Sequence, residues 1–197
     1  MVFDISSLPV NKQEKITKGT KDYLHIQGLY NSLSSLNDKS DKRCVDFQKA
    51  FNSFYKLIRH KESWYNDFYN TFDEEKKRKN TGFSNVYNDL SKKTGRDEKS
   101  FSSKMYHTMN NTSPIIDKNV LKGLKIPGRS KKGNGLAIYG SLWDEYYKTG
   151  GLIDCAKRDE LSKQFDDLCI KYGMQNTSLN TISLVKKIDF YLWAYFA

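Results

Sequence analysis

Apolar residues recur along most of this chain at intervals of three and four, the spacing of one helix face. In 22–36 they are Ile26, Leu29, Tyr30 and Leu33; in 41–60 they are Phe47, Phe51, Phe54, Tyr55 and Ile58. The second run predicts the clearest amphipathic helix, with Asp41 as its N-cap. Trp64, Phe68, Tyr69 and Phe72 predict a third helix, followed by the charged stretch 73–82, which reads as a solvated helix end and turn. Phe83, Val86, Tyr87 and Leu90 predict a short helix running into the basic turn 92–96. Phe101, Met105 and Met109 predict a helix over 97–109, capped by Asp97 or a neighbour and stopped at Pro114. Val120, Leu121 and Leu124 mark a short helix, and Ile138, Leu142, Trp143 and Tyr146 a longer one over 136–148 that Gly150-Gly151 breaks. A single helix is expected over 153–172 with Gly173 as its C′ residue. The last helix, in 181–197, is apolar nearly all round except at Asp189 and should be deeply buried. Residues 1–20 lack such a stripe and read as a packed arm. No strand pair emerges, so the expectation is an all-α, compact helical protein of about eight helices. It is a single domain, with 1–75 and 179–197 in one lobe and 83–172 in the other, around a cleft.

Composition narrows the classes. The chain has 197 residues and is 38% hydrophobic, enough for a core. Three Pro and 12 Gly are too little punctuation for many short strands. No apolar run approaches the length of a membrane span, and MVFDISSLPV lacks the charged-then-apolar order of a signal peptide. Cys44, Cys155 and Cys169 are odd in number and scattered, which fits reduced thiols and a cytoplasmic location. They are one short of a four-cysteine metal site, and the three His do not cluster. Phosphate-loop, dinucleotide and nucleophile-elbow motifs are absent, so no cofactor or metal is expected.

The net charge is +10. Part of it concentrates in 117–135, where Lys118, Lys122, Lys125, Arg129, Lys131 and Lys132 face only Asp117. Another part lies in 91–104, where Lys92, Lys93, Arg96, Lys99 and Lys104 outnumber Asp97 and Glu98. The two stretches flank one helix. They read either as a solvated surface or as a surface for a polyanion, duplex DNA first, whose backbone phosphates dominate non-specific affinity.

Residues 95–124, GRDEKSFSSKMYHTMNNTSPIIDKNVLKGL, run basic turn, helix, short break, two apolar residues, Asp, short helix. Through Ser102-Ser103-Lys104-Met105 and Pro114-Ile115-Ile116-Asp117-Lys118-Asn119-Val120, this segment resembles the helix-hairpin-helix DNA glycosylase superfamily, in particular its 8-oxoguanine-glycosylase-like branch. The hairpin itself, Lys93-Thr94-Gly95-Arg96-Asp97, has one Gly where that family has two. The resemblance implies a helix-hairpin-helix glycosylase-like fold and hydrolysis of the N-glycosidic bond of a modified base, with or without strand nicking. Asp117 would stabilise the oxocarbenium-like sugar and orient water. Lys104 or Lys99 would contact phosphate or attack the sugar as an amine. Lys99 lies 18 residues before Asp117 and Lys104 13 before. They stand about 140° apart on a helix, so only one can face Asp117. Lys92, Lys93, Arg96, Lys118, Lys122, Arg129, Lys131 and Lys132 would hold phosphates, and Tyr106 and Trp143 are candidates for stacking on a flipped base.

Each residue also has a plainer reading. Asp117 suits a helix N-cap, the lysines a solvated surface and Trp143 a core. His107 is a general base, a phosphate contact or simply structural. A buried Asp189 needs Lys186, Lys187 or a backbone amide as partner. Two other functions fit the same residues. One is a non-catalytic nucleic-acid-binding module. The other is a helical protein–protein interaction factor of the phage-defence or antidefence type.

Overall fold

Pro9 sets the first helix boundary, because a ring that fixes φ and lacks an N–H suits the edge of a helix. In the computed structural model, which describes residues 1–128 and 134–196, α1 runs Val10–Ser32. It therefore includes half of the expected arm. That half hides Thr17, Gly19 and Thr20 beside Ile16 and Tyr23, and Thr20 Oγ1 donates back to the Ile16 carbonyl at 2.7 Å. Small and polar residues carry the buried stripe there, and an apolar pattern passes over them. Residues 1–8 do form an arm. Phe3, Ile5 and Leu8 are buried, and the Phe3 and Ile5 amides donate to Asp159 and Gln164 at 2.8 Å each.

α2 spans Lys42–Tyr55, with the Asp41 carboxylate accepting from the Arg43 amide as the N-cap rule requires. It ends sooner than expected, at a left-handed Lys56, so Ile58 is 57% exposed instead of buried. α3, Glu62–Lys77, extends through the first half of the charged stretch because Glu75 is buried, paired with Arg78 at 2.8 Å and accepting from Thr81. α4, Phe83–Thr94, buries the four residues its pattern marks, and Gly95 supplies the left-handed turn (φ +68°) into α5, Lys99–Met109. Neither acid before α5 caps it with its side chain. Asp97 accepts from Tyr87 Oη and pairs with Lys99, and Glu98 accepts from Trp64 Nε1.

α6 is the short helix Lys118–Gly123, and α7 is Gly135–Tyr147. The single helix expected over 153–172 is two, α8 (Leu152–Arg158) and α9 (Leu161–Lys171). Glu160 turns the chain with φ +51°, where the arm docks on Asp159 and Gln164. Gly173 follows α9 at φ +82°, as its C′ reading anticipates. α10, Asn176–Leu179, has no periodic signal, and α11, Leu184–Phe196, closes the chain. The fold is all-helical, with eleven helices among the described residues where about eight were expected.

Two apolar cores meet along α1. Ile16 and Tyr23 join the arm, α7–α9 and α11, while Ile26 and Leu33 join α2–α5 around Phe47, Phe51, Phe68 and Phe72. Phe54 and Tyr106 touch both. Each such Phe stabilises the fold by about 1.5–3 kcal/mol through burial. α6 lies against α11 so closely that a Cβ at Gly123 would overlap the Phe196 ring. The three cysteines are free and buried. Among the described residues no helix is long and apolar enough to cross a membrane.

Candidate functional site

The link between α5 and α6 is held on three sides. Ser103 Oγ accepts from the Ile116 amide at 2.9 Å, and Ser100 Oγ donates to the Ile116 carbonyl at 3.0 Å, so two serines of α5 satisfy both backbone groups of one residue. His107 lies 2.5 Å from the Ser113 carbonyl through Nδ1. A carbonyl only accepts, so Nδ1 carries the proton and Nε2 faces Tyr23 Oη at 3.4 Å as an acceptor. Burial first, then the positive Lys186, pushes the imidazole well below its usual range, so the ring is neutral. His107 thus acts as an internal brace with no exposed surface for a phosphate. From the far side Tyr147 Oη donates to the Thr112 carbonyl at 2.5 Å and Ser183 Oγ donates to the Asn111 carbonyl.

This frame delivers Asp117 to the start of α6. Its Oδ1 accepts from the amides of Asn119 (2.8 Å) and Val120 (3.2 Å), the N-cap arrangement. Oδ2 has no hydrogen-bond partner among the described residues, and the side chain is half-buried. One carboxylate therefore caps a helix and keeps an oxygen available.

The structure separates the two candidate lysines. Lys99 is paired with Asp97 at 2.6 Å. Lys104 is half-buried and points its amine toward the C-terminal end of α2, donating to the Tyr55 carbonyl at 3.3 Å and lying 4.9 Å from the centre of the Phe101 ring. Desolvation pulls the Lys104 amine down to about 8, and only the Asp117 charge opposes this. The Asp117 charge reaches the Lys104 amine, but the two form no ion pair.

A second charged pair adjoins them from α11. Lys186 Nζ is surrounded by the rings of Phe190 (4.8 Å), Tyr23 (4.9 Å), Phe54 (5.6 Å) and Tyr55 (5.7 Å). Asp189, one turn on, accepts from Tyr146 Oη through Oδ1, and its Oδ2 is buried without a partner. Burial raises the Asp189 carboxyl and lowers the Lys186 amine, and Asp117 acts on both. Of the two lysines offered as partners for Asp189, Lys186 is the one beside it. Lys187 points the other way, onto Asp166 at 2.7 Å. Lys186, Tyr146, Tyr23 and Tyr55 were not among the sequence-read catalytic candidates. The signal available was the pair Lys186 and Asp189 inside an otherwise apolar run.

Lys92, Arg96, Lys118 and Lys122 are exposed and make no ion pair among the described residues, while Lys93 is held by Glu74 at 2.7 Å. Arg129, Lys131 and Lys132 lie outside the described residues. Of the glycines on either side of them, Gly128 lies by Leu121 of α6 and Gly135 by Tyr87 and Lys99. Tyr106 is packed near Tyr139 and Phe83 and accepts from Asn110. Trp143 is 37% exposed, against the expectation of a core position, and stacks on Tyr147 at 4.3 Å. No cluster of three potential metal ligands occurs among the described residues.

No known protein family, no curated protein and no solved structure matches the chain.

Proposed function

We propose that this protein is a DNA-binding N-glycosylase in which Lys104 and Asp117 act on the sugar of a modified nucleotide. The observation that carries the reading is a desolvated amine, pulled down to about 8 and felt by the charge of a carboxylate that the braced α5–α6 link holds with one oxygen unpartnered among the described residues. An amine with that value is substantially neutral at mildly alkaline pH, as nucleophilic attack requires. Its lone pair attacks C1′ while the C1′–N bond breaks, and the base departs with that electron pair and takes up a proton. The attached amine then loses a proton, its lone pair forms the C=N bond as the C1′–O4′ bond breaks, and the ring oxygen takes up a proton, which leaves a protonated imine. The Asp117 charge stabilises the cationic sugar during this step. In a purely hydrolytic variant water replaces the amine and Asp117 accepts its proton. Lys92, Arg96, Lys118 and Lys122 supply unpaired cations for the backbone, and the exposed Trp143–Tyr147 stack offers a surface for an unstacked base.

The Lys104 bond to the Tyr55 carbonyl favours a second reading, a non-catalytic DNA-binding module in which this amine merely caps α2.

The test is base release from end-labelled duplexes carrying oxidised, deaminated, alkylated or bulky bases, with borohydride added to trap an imine. Release and trapping that vanish in Lys104→Gln and Asp117→Asn support the enzyme. Asn remains a good N-cap, so loss in Asp117→Asn reports charge and not folding. Salt-sensitive duplex binding with no release from any lesion supports the module. Absence of both leaves a protein partner.

A further inference from the structure

A cleft of about 250 Å³ opens between the α2–α3 connection and the α4–α5 turn. Three of its lining residues, Arg59, Lys61 and Arg96, are cationic, and none has an ion-pair partner among the described residues. The one acidic lining residue is Asp67. Three like charges around one small concavity repel, and Arg59 in addition holds a left-handed backbone (φ +64°) that a side-chain-bearing residue adopts at some cost. The wall behind them is rigid. His60 lies flat on Trp64 (3.8 Å, 18°), and Trp64 Nε1 is anchored to the buried Glu98 at 2.8 Å. Lys61 is also the N-cap of α3 and contributes no side-chain acceptor, so first-turn amides of that helix lack a side-chain cap at the same end of the cleft. The arrangement suits a compact, multiply charged oxyanion.

The cleft adjoins Lys104. The Phe101 ring centre is 5.3 Å from the His60 ring and 4.9 Å from Lys104 Nζ, so cleft wall and amine are within about 10 Å of each other. At 3.4 Å of rise per nucleotide that is about three steps along a strand.

We propose that this cleft is a phosphate site, and that its ligand is a backbone phosphate of the DNA strand, within about three nucleotides of the one presented to Lys104. The choice of DNA as the source rests on the function proposed above. The affinity for phosphate does not.

The probe is the His60 ring, followed by NMR and assigned with His60→Gln. Burial lowers its titration most, the Glu98 charge opposes this and the Arg96 charge adds to it, and a bound phosphate should raise it by about half a unit or more. Inorganic phosphate and a 12-base-pair duplex are titrated separately into the native protein and into the Arg59→Gln/Arg96→Gln variant. Both probes should move His60 in the native protein. In the variant duplex affinity should fall about 10-fold at low salt, and the salt slope should shrink by about 2. Circular dichroism and thermal melting confirm that the variant folds. A response to phosphate but not to duplex overturns the strand assignment and indicates a free phosphate ester. No response to either overturns the site. A response to both, without base release from any substrate, leaves the site standing while the glycosylase reading fails.

Discussion

The Lys186–Asp189 pair makes a quantitative prediction, because two opposite charges sit one turn apart inside an apolar helix with few other partners. Side chains three apart on a helix are about 5–6 Å from one another. At an effective dielectric of about 20 that gives an attraction of about 3 kcal/mol. Lys186→Met removes the cation and leaves Asp189 with Tyr146 Oη, the nearby Ile115 amide and the repelling Asp117. Asp189→Asn removes the anion and leaves Lys186 among rings, repelled by Lys104. Each single variant should lose about 2–3 kcal/mol, limited because the stranded group can neutralise itself. The double variant should lose no more than the worse single, a coupling of about 3 kcal/mol. Urea unfolding of the four proteins at pH 7 measures it. Additivity within about 0.5 kcal/mol would refute the pairing. The pH dependence gives a separate check. The raised Asp189 holds its proton in the native state where the unfolded chain has lost it, so its contribution is lost as pH rises from about 4 toward its folded value. The lowered Lys186 acts at the other end, and stability recovers as pH rises from its folded value toward the unfolded one. In Asp189→Asn the first limb should vanish and the Lys186 limb should begin at lower pH, because the Asp189 charge no longer supports the amine.

Three further outcomes are expected. Single-turnover imine trapping should rise about 50-fold from pH 6 to pH 8 and level off above 9, as for an amine titrating at about 8, and Lys99→Gln should follow the same curve. Ser103→Ala leaves the buried Ile116 amide without its acceptor and should cost about 1–3 kcal/mol in chemical denaturation. Asp41→Ala removes the α2 cap and should cost about 1 kcal/mol, lowering the melting temperature by about 2–4 °C in calorimetry.

The sequence spoke clearly where large apolar residues mark one face. α2, α3, α4 and α7 follow Phe47, Trp64, Val86 and Ile138 directly, and Asp41 caps where its position says it should. It was silent where burial falls to small or polar groups, as with Thr17, Gly19 and Thr20 in α1. It misled where a distant segment bends the chain, as the arm does on Asp159 and Gln164 between α8 and α9. At the site, spacing left Lys99 and Lys104 equivalent, because local periodicity contains no information about which side of α5 meets Asp117. In the structure Asp97 holds Lys99 in an ion pair, and no acid holds Lys104 so among the described residues. Lys186 was visible only as a charge in an apolar run, since the rings that enclose its amine come from α1, α2 and α11 itself.

Those rings also weigh on the choice between a structural and a chemical role for the cluster. A fold that needs only to fill this volume does so at less cost with apolar side chains, because two desolvated amines and a buried carboxylate with an unpartnered oxygen each work against the native state. Ser100, Ser103 and His107 hold the α5–α6 link in place through backbone groups alone and need no charge at Lys104 or Lys186 to do so. The brace and the charges are therefore separable, and the charges are the part that stability does not explain. A lowered amine, a raised acid and a carboxylate with one free oxygen within a single cluster are the elements of proton transfer and nucleophilic attack near neutral pH. Replacing Lys104 with Met should then leave the protein as stable as before, or more so, while abolishing any base release the native protein shows. A purely structural cap on the Tyr55 carbonyl predicts the reverse, a loss of stability with no effect on any activity found.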